Sequence, residues 1–456
     1  MRRKNFDLQD DAREALENIV ARRLGAERKS GRDRPGPAAV RSYKSMTDFT
    51  NLPGMQELKL QRSMAEVVGF ANPYFRLHES RAGATSQIEG RTFINFSSYD
   101  YLGLNGHPET QAAAHQAIDV YGTSCSASRL VAGERPLHRD LESALAAHYK
   151  QEASVVFVSG HATNVSSIGA LLGPKDLIVH DSLAHNSIVL GATLSGAERR
   201  MFPHNDLRAL DDLLLSNRAR YERVLIVVEG LYSMDGDFPD LPALVGLKQK
   251  HGAWLMVDEA HGLGVLGKRG FGLFEHFQID PCEVDIWMGT LSKTLSGCGG
   301  YIAGCQALVD YLKCMSGGFV YSVGLPPPIA AAALKSLELL HREPERVARL
   351  HQISNVFWEG ARALDLNIGN SRGFAVIPIV THNSLIAVAL SQKLFQQGIN
   401  VQPIIHPAVP EQAARLRFFL TSEHTEAQIR EALEALAAGV ASIGDGKSVL
   451  SGELNG

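Results

Sequence analysis

Between about residues 110 and 310 the chain alternates helical patterns with short continuous apolar runs, namely Val155–Val158, Leu177–Val179, Val224–Val228, Trp254–Val257 and Ile286–Met288. A run without polar alternation predicts a strand covered on both faces. Such strands interleaved with helices predict an α/β fold, a mainly parallel sheet with helices on either side. In open sheets of this kind, ligands bind beyond the carboxyl ends of the strands. The residues that follow the runs are Ser159-Gly160-His161, His180-Asp181, Glu229-Gly230, Asp258-Glu259-Ala260-His261 and Gly289 to Lys293. A lysine, two aspartates and three histidines thus stand at comparable positions, which is where chemistry is expected.

Outside this region the pattern changes. Leu8, Ala12, Ala15, Ile19, Val20 and Leu24 predict an amphipathic helix over 7–25, followed by a charged stretch that closes on Pro35-Gly36-Pro37. Residues 1–45 are therefore expected to be an extension, either a docking element or a poorly ordered leader. A second helical stretch and a strand, Arg91–Phe96, fill 46–95. The large sheet domain is expected over 96–335. A smaller α+β domain is expected over 336–445, with a helix at Leu334–Leu350, strands near Ala375–Val380 and Leu416–Leu420, and a last helix at Glu426–Ile443. Residues 446–456 are expected to fray.

Composition narrows the class. The 456 residues carry 45 Lys and Arg against 49 Asp and Glu, a net charge of −4, so no nucleic-acid partner is expected. The five cysteines are odd in number and lack CxxC or zinc spacing, which argues for a reducing compartment and no metal site. Met1 to Lys4 leads into acidic residues with no apolar core of a secretory signal, and no run is long enough for a transmembrane span. The expected localisation is cytoplasmic.

Asp258 follows four apolar residues, so its carboxylate emerges against a dry wall and needs a cationic partner. His261 can project from the same loop. Lys293 follows another apolar run and precedes the glycine-rich stretch Gly297–Gly300, where backbone can approach closely. Desolvation at such a position lowers an amine's pKa and suits it to Schiff-base chemistry. An acid and a lysine at neighbouring strand ends suit pyridoxal phosphate, the acid holding the pyridine nitrogen protonated and the amine forming the imine. A plain structural ion pair between the two fits the spacing equally well.

Eight strings, SSYDYLGL (97–104), GTSCSASRLVAGERPLHRDLE (122–142), FVSGHATN (157–164), HDSLAHNSI (180–188), VVEGLYSMDGD (227–237), VDEAHGLGVLG (257–267), GTLSKTLSGCGGYIAG (289–304) and ARLRFFLTSEHT (414–425), resemble in order and register the α-oxoamine synthase family. The resemblance covers about residues 46 to 443. It implies a fold-type I pyridoxal-phosphate-dependent transferase, with a large domain of mainly parallel sheet and a smaller α+β domain. It also implies a reaction that condenses an amino acid with an acyl thioester and releases carbon dioxide.

Carried over by position, the resemblance makes Lys293 the Schiff-base lysine and proton carrier, Asp258 the partner of the pyridine nitrogen, His261 the ligand of the cofactor's phenolic oxygen, and His185 the imidazole stacked on its ring. Gly160 and His161 match the place where backbone amides meet the cofactor, at a helix N-terminus that favours an anion. His161 stands where the family commonly has Phe or Tyr. Thr290 and Ser292 match hydroxyls that hold phosphate, and Ser233 one near the pyridine. Tyr321-Ser322 matches a segment that reaches the neighbouring subunit's phosphate, which implies a homodimer with shared active sites; Val323 replaces a threonine often found next. Arg415 and Arg417 are two apart on a strand and so share a face. The substrate-carboxylate arginine is assigned to Arg417, with Arg415 as runner-up, because a guanidinium binds a carboxylate in two-pronged fashion.

Tyr99-Asp100-Tyr101 has tyrosine first, as serine palmitoyltransferases do, where relatives that make aminolevulinate or the biotin precursor show Asn-Asp-Tyr. The expected substrates are a small amino acid (serine, alanine or glycine) that meets Tyr99, and an acyl chain on coenzyme A or acyl carrier protein. Activity of the 8-amino-7-oxononanoate synthase or 2-amino-3-ketobutyrate coenzyme A ligase type is the alternative, and an aminotransferase the next. A silent partner subunit would lack the lysine, and a dinucleotide-binding protein would show a GxGxxG after its first strand.

Overall fold

The computed structural model describes residues 47–56, 58–59 and 72–443. The helix expected over 7–25 and most of the helical stretch after residue 46 lie outside the described residues. The chain divides into two units, of which residues 76–442 form one. In the other, Phe49–Asn51 make a single 3-10 turn whose Thr50 amide is capped by Asp48.

Thirteen strands occur among the described residues: β1 (Thr85–Ile88), β2 (Arg91–Asn95), β3 (Ala153–Phe157), β4 (Leu177–Asp181), β5 (Glu198–Phe202), β6 (Val224–Glu229), β7 (Trp254–Asp258), β8 (Ile286–Thr290), β9 (Gly300–Gly304), β10 (Val376–Val380), β11 (Ile399–Asn400), β12 (Gln402–Ile404) and β13 (Arg415–Phe419). Seven form the main sheet in the order β3-β9-β8-β7-β6-β4-β5. From β8 to β5 the pairs are parallel, and β9 runs antiparallel to both β8 and β3. Every residue of β4, β6 and β8 is buried, as their unbroken apolar runs require. Val155, Ile178, Leu225, Met256, Ile286 and Ile302, one from each of six strands, pack in a single core with the helices Gly160–Leu171 and Asn186–Ser195. Each such aliphatic side chain contributes about 1.5–3 kcal/mol on burial.

The strands extend past the apolar runs that announced them. Asp181, Glu229, Asp258 and Thr290 are the last residues of their strands and not the first residues of loops. Backbone pairing continues while the side chain turns polar, as the register Glu229 opposite Asp258 shows. Two strands escaped the apolar criterion altogether. In β9 the small residues of Gly-Tyr-Ile-Ala-Gly pack against neighbours on both sides, and β5, Glu-Arg-Arg-Met-Phe, is an edge strand with four of its five side chains exposed.

β13 is the central strand of a smaller antiparallel sheet, β10-β13-β12, in which Arg417 lies opposite Pro378 and Gln402. A third sheet, β1-β2-β11, pairs residues 94–95 with 399–400. The single helix expected at Leu334–Leu350 is two, Pro327–Arg342 and Pro344–Ala363. Pro344 has no N–H for an interior helix bond and forces the preceding residue out of helical geometry, and Glu343 is accordingly non-helical at φ −119° and ψ 64°. The last helix, Glu426–Ile443, stands where its periodicity placed it.

Candidate active site

A cavity of about 170 Å³ opens at the carboxyl ends of the main-sheet strands and is lined by Gly160, His161, His185, Asp258, His261, Thr290, Ser292 and Lys293, together with Asn164, Ser187 and Glu229. A larger open depression, about 730 Å³, is lined by Arg129, Glu134, Glu142 and Lys313. Its charges are spent on one another, Arg129 pairing with Glu134 and Glu142, and Lys313 with Glu142. The smaller cavity keeps its charged groups unpaired and is the candidate site.

Asp258 ends β7 with 4% of its surface exposed. Asn164 Nδ2 donates to its Oδ2 at 2.8 Å, and the Ala260 amide donates to Oδ1 at 2.9 Å, so both oxygens of the buried carboxylate are met by fixed donors. Lys293 forms no ion pair with it. Its Nζ stands over the ring of Tyr99, 5.7 Å from the centroid. Burial lowers the Lys293 ammonium to a pKa of about 8; Asp258 and Glu229 oppose the shift, and Arg417 adds to it. The structural ion pair that spacing alone allowed is therefore not formed, and the amine is left partly deprotonated near neutral pH.

His261 is buried, and its Nδ1 lies 2.6 Å from the Tyr101 hydroxyl. Burial, reinforced by Lys293 and Arg417, holds the ring neutral. His185 caps the helix Asn186–Ser195: its Nδ1 accepts from the Ser187 amide at 3.2 Å and lies 2.7 Å from Ser187 Oγ. Removal from water lowers its pKa, against the pull of Asp258. His161 stands edge-on to it at 6.4 Å.

Opposite these groups, Ser159 caps the helix Gly160–Leu171, whose first turn faces the cavity. A Cβ on Gly160 would lie 2.8 Å from Thr290 Oγ1, so only glycine fits. Thr290 donates to the Gly299 carbonyl at 2.9 Å and accepts from the Ser292 amide at 3.2 Å, while Ser292 Oγ accepts from the Gly299 amide at 3.3 Å. A helix N-terminus beside two hydroxyls is an anion site.

The loop carrying Ser233, Met234 and Asp235 tells the two arginines apart. Arg415 is occupied: Nη1 meets Asp235 Oδ1 and the Met234 carbonyl, each at 2.8 Å, and Nε donates to Ala413. Arg417 gives Nη1 to the Ser233 carbonyl at 3.1 Å, and its buried Nε has no partner. The runner-up is thus held in a structural ion pair, while Arg417, which also has a hydrogen bond with Tyr99, is the arginine whose Nε is left without a partner. Tyr99 packs edge-on against Phe419 at 4.7 Å. Ser233 contributes its carbonyl to Arg417; Ser233, Tyr99, Arg415 and Arg417 are not on the cavity wall, and Ser322 also lies off it, beside the exposed Tyr321.

Asn164 lay within a quoted motif without a role, and its Oδ1 remains unpartnered in the buried site. Glu229 stood in the strand-end set, also unassigned. Burial, then Asp258, pushes its carboxyl up to about 8, and its Oε1 has no partner. Pairing of strand ends is the signal for Glu229, which stands opposite Asp258, whereas Asn164 sits one turn into a helix and meets Asp258 only through the fold.

Fold and site together define a pyridoxal-phosphate-dependent enzyme of fold type I. The aminotransferase class I and II family matches residues 91–436, and the chain belongs to that family, in its α-oxoamine synthase branch. An 8-amino-7-oxononanoate synthase from Treponema denticola is 38% identical over 380 residues, covering 83% of this chain and 94% of the relative. A serine palmitoyltransferase from Sphingomonas wittichii superposes with a TM-score of 0.82 at 31% identity, over 87% of this chain and 99% of that one. A serine palmitoyltransferase from S. paucimobilis, solved with bound pyridoxal phosphate and myriocin, gives 0.83 at 27% identity over the same shares.

The residues present fit that cofactor. A donor-fixed carboxylate suits a protonated pyridine nitrogen, an amine near pKa 8 suits an imine, and the glycine-cleared helix start with Thr290 and Ser292 suits a phosphate. No helix among the described residues is long and apolar enough to cross a membrane.

Proposed function

We propose that this protein joins a small amino acid (serine, alanine or glycine) to an acyl thioester, releasing carbon dioxide and the free thiol and leaving an α-aminoketone. The observation that carries the reading is the convergence of a low-pKa amine, Lys293, and a donor-fixed carboxylate, Asp258, on one cavity at neighbouring strand ends. Bound pyridoxal phosphate supplies an electron sink for negative charge at the amino acid's α-carbon. With the cofactor in the cavity, Asp258 would keep the pyridine nitrogen protonated, His261 would bind the phenolic oxygen and His185 would hold the ring. Arg417 offers Nε and its second Nη to the amino acid's carboxylate, which fixes the bond to be broken relative to the ring. Lys293, poised near neutral pH, takes and returns the α-proton. Tyr99 limits the amino acid's side chain from the mouth.

The Asp100 carboxylate accepts from the Leu104 and Asn105 amides and is buried away from the cavity wall. Asp100 therefore acts on the turn and not on the substrate. The 38% identity to an 8-amino-7-oxononanoate synthase favours a second reading, alanine with a seven-carbon dicarboxylic acyl group. We read the protein as a cytoplasmic homodimer. Leu130, Val131, Tyr321 and Val323, 59%, 82%, 90% and 46% exposed, support an apolar interface beside Ser322, and light scattering tests it.

Thiol release by the cofactor-loaded protein decides the function. Serine, alanine and glycine are each paired with palmitoyl- and pimeloyl-coenzyme A and with the carrier-protein thioesters. Amino-acid-dependent thiol and carbon dioxide support condensation; a keto acid without thiol makes the protein an aminotransferase.

A further inference from the structure

Asp181, His204 and Asp237 lie off the cavity wall and have no part in the reaction proposed above. Asp181 ends β4, His204 follows β5, and Asp237 sits in the loop after β6. His204 Nδ1 is 2.9 Å from Asp181 Oδ1, and Nε2 is 2.8 Å from Asp237 Oδ2. A neutral imidazole has one N–H and ionised carboxylates only accept, so both contacts are hydrogen bonds only when the ring is an imidazolium. Burial opposes that charge, but the hydrogen bonds to Asp181 and Asp237 override it and raise the ring to about 10. Asn205 supports both carboxylates, its amide donating to Asp181 at 2.9 Å and its Nδ2 to Asp237 at 3.1 Å. The Tyr232 ring stands perpendicular at 4.5 Å.

Asp237 is in turn part of a closed loop. The Tyr232 amide donates to the Asp237 carbonyl at 2.8 Å, and the Gly236 amide to the Tyr232 carbonyl at 2.9 Å. Gly236 has φ +69°, and a Cβ there would lie 2.0 Å from the Val376 carbonyl, so the loop seats directly on β10 of the small sheet. The same loop presents the Ser233 carbonyl to Arg417, and the Met234 carbonyl and Asp235 carboxylate to Arg415. A continuous line of contacts thus runs from the end of β4 through His204 to the guanidinium of Arg417.

We propose that the His204 imidazolium is a positioning residue for substrate binding: by clamping loop 232–237 between Asp181 and Asp237, it sets the Ser233 carbonyl that aims Arg417 at the amino acid's carboxylate. This rests on the reading of Arg417 as the carboxylate ligand. The line is electrostatic at its start and steric at its end, since the glycine contact with β10 leaves the loop little room to compensate.

The test compares L-alanine with ethylamine, which lacks the carboxylate, as ligands of the cofactor-loaded wild type and of His204→Gln, Asp237→Asn and Arg417→Ala. Affinity is read from the visible absorbance change, and cofactor affinity of the apoprotein is titrated separately. Arg417→Ala should weaken alanine by more than about tenfold and leave ethylamine unchanged. His204→Gln and Asp237→Asn should weaken alanine by roughly tenfold, with ethylamine and cofactor affinity within about twofold of wild type. The clamp is overturned when both variants keep the wild-type ratio of the two ligands, or lose both equally, while Arg417→Ala still discriminates. Loss of discrimination failing to appear in Arg417→Ala overturns the assignment of Arg417, and the clamp with it.

Discussion

Glu229 and Asp258 stand opposite each other in the register of β6 and β7, yet only Asp258 is supplied with close hydrogen-bond donors. Glu229 receives a long contact from the Ser233 amide at 3.4 Å and a further one from the His185 backbone, and leaves Oε1 unpaired. Two adjacent dry carboxylates cannot both ionise cheaply, and it is Glu229 that is pushed up to hold a proton, by burial and then by Asp258.

Glu229 accordingly takes up a proton on folding. Its carboxyl is raised from an ordinary 4.5 to about 8, so between those values the folded state binds more protons and stability falls as pH rises. At pH 6, calorimetry in buffers of different ionisation enthalpy should show about one proton fewer taken up on folding by Glu229→Gln than by wild type. An unchanged proton count would show that Glu229 is ionised.

Lys293→Ala should abolish the cofactor's visible imine band while changing stability by less than about 1 kcal/mol. The ammonium it removes has no hydrogen bond or ion pair among the described residues, and burial disfavours its charge. Absorbance after reconstitution and thermal melting measure the two effects.

The two arginines should fail in different ways. Arg415→Ala strands the largely buried Asp235 and should cost about 3 kcal/mol of stability. Arg417→Ala should mainly raise the KM for the amino acid. Urea melts and steady-state kinetics on both variants separate the outcomes, and equal effects would contradict the assignment.

Gly160→Ala places a methyl 2.8 Å from Thr290 Oγ1. It should weaken cofactor affinity of the apoprotein by about tenfold, because the hydroxyl must shift from the anion site. Equilibrium titration with pyridoxal phosphate gives the answer.

Stability should decline on both sides of neutrality. His204 is raised from 6.5 to about 10, so its contribution is complete below pH 6.5 and is lost as pH rises through 10. His148, whose Nδ1 lies 3.0 Å from His341 Nε2 and whose Nε2 donates to the Phe271 carbonyl, is depressed to about 3, chiefly by burial. Its contribution is complete above pH 6.5 and is lost as pH falls toward 3. Melting temperatures of His204→Gln should flatten the alkaline side only, and those of His148→Asn the acid side only.

The apolar runs announced five of the seven main-sheet strands because those strands are covered on both faces. They missed β5, whose charged residues face outward at an edge, and with β5 went the place to look for His204, two residues beyond its end. Lys293, Asp258, His261 and His185 were legible because motif order carried them onto one cavity. Arg415 and Arg417 were not separable from the strand's alternation, since both point the same way; only the loop carrying Ser233, Met234 and Asp235 distinguishes them. Pro344 was visible in the sequence, but helical periodicity runs through it on both sides.

The charged edge also governs what the molecule can become in a crowded solution. A strand from another chain that tried to lengthen the main sheet at β5 would have to seat itself beside Glu198, Arg199 and Arg200 and strip water from them. That toll closes the route to runaway ribbon growth from this side and leaves association through faces as the permitted one.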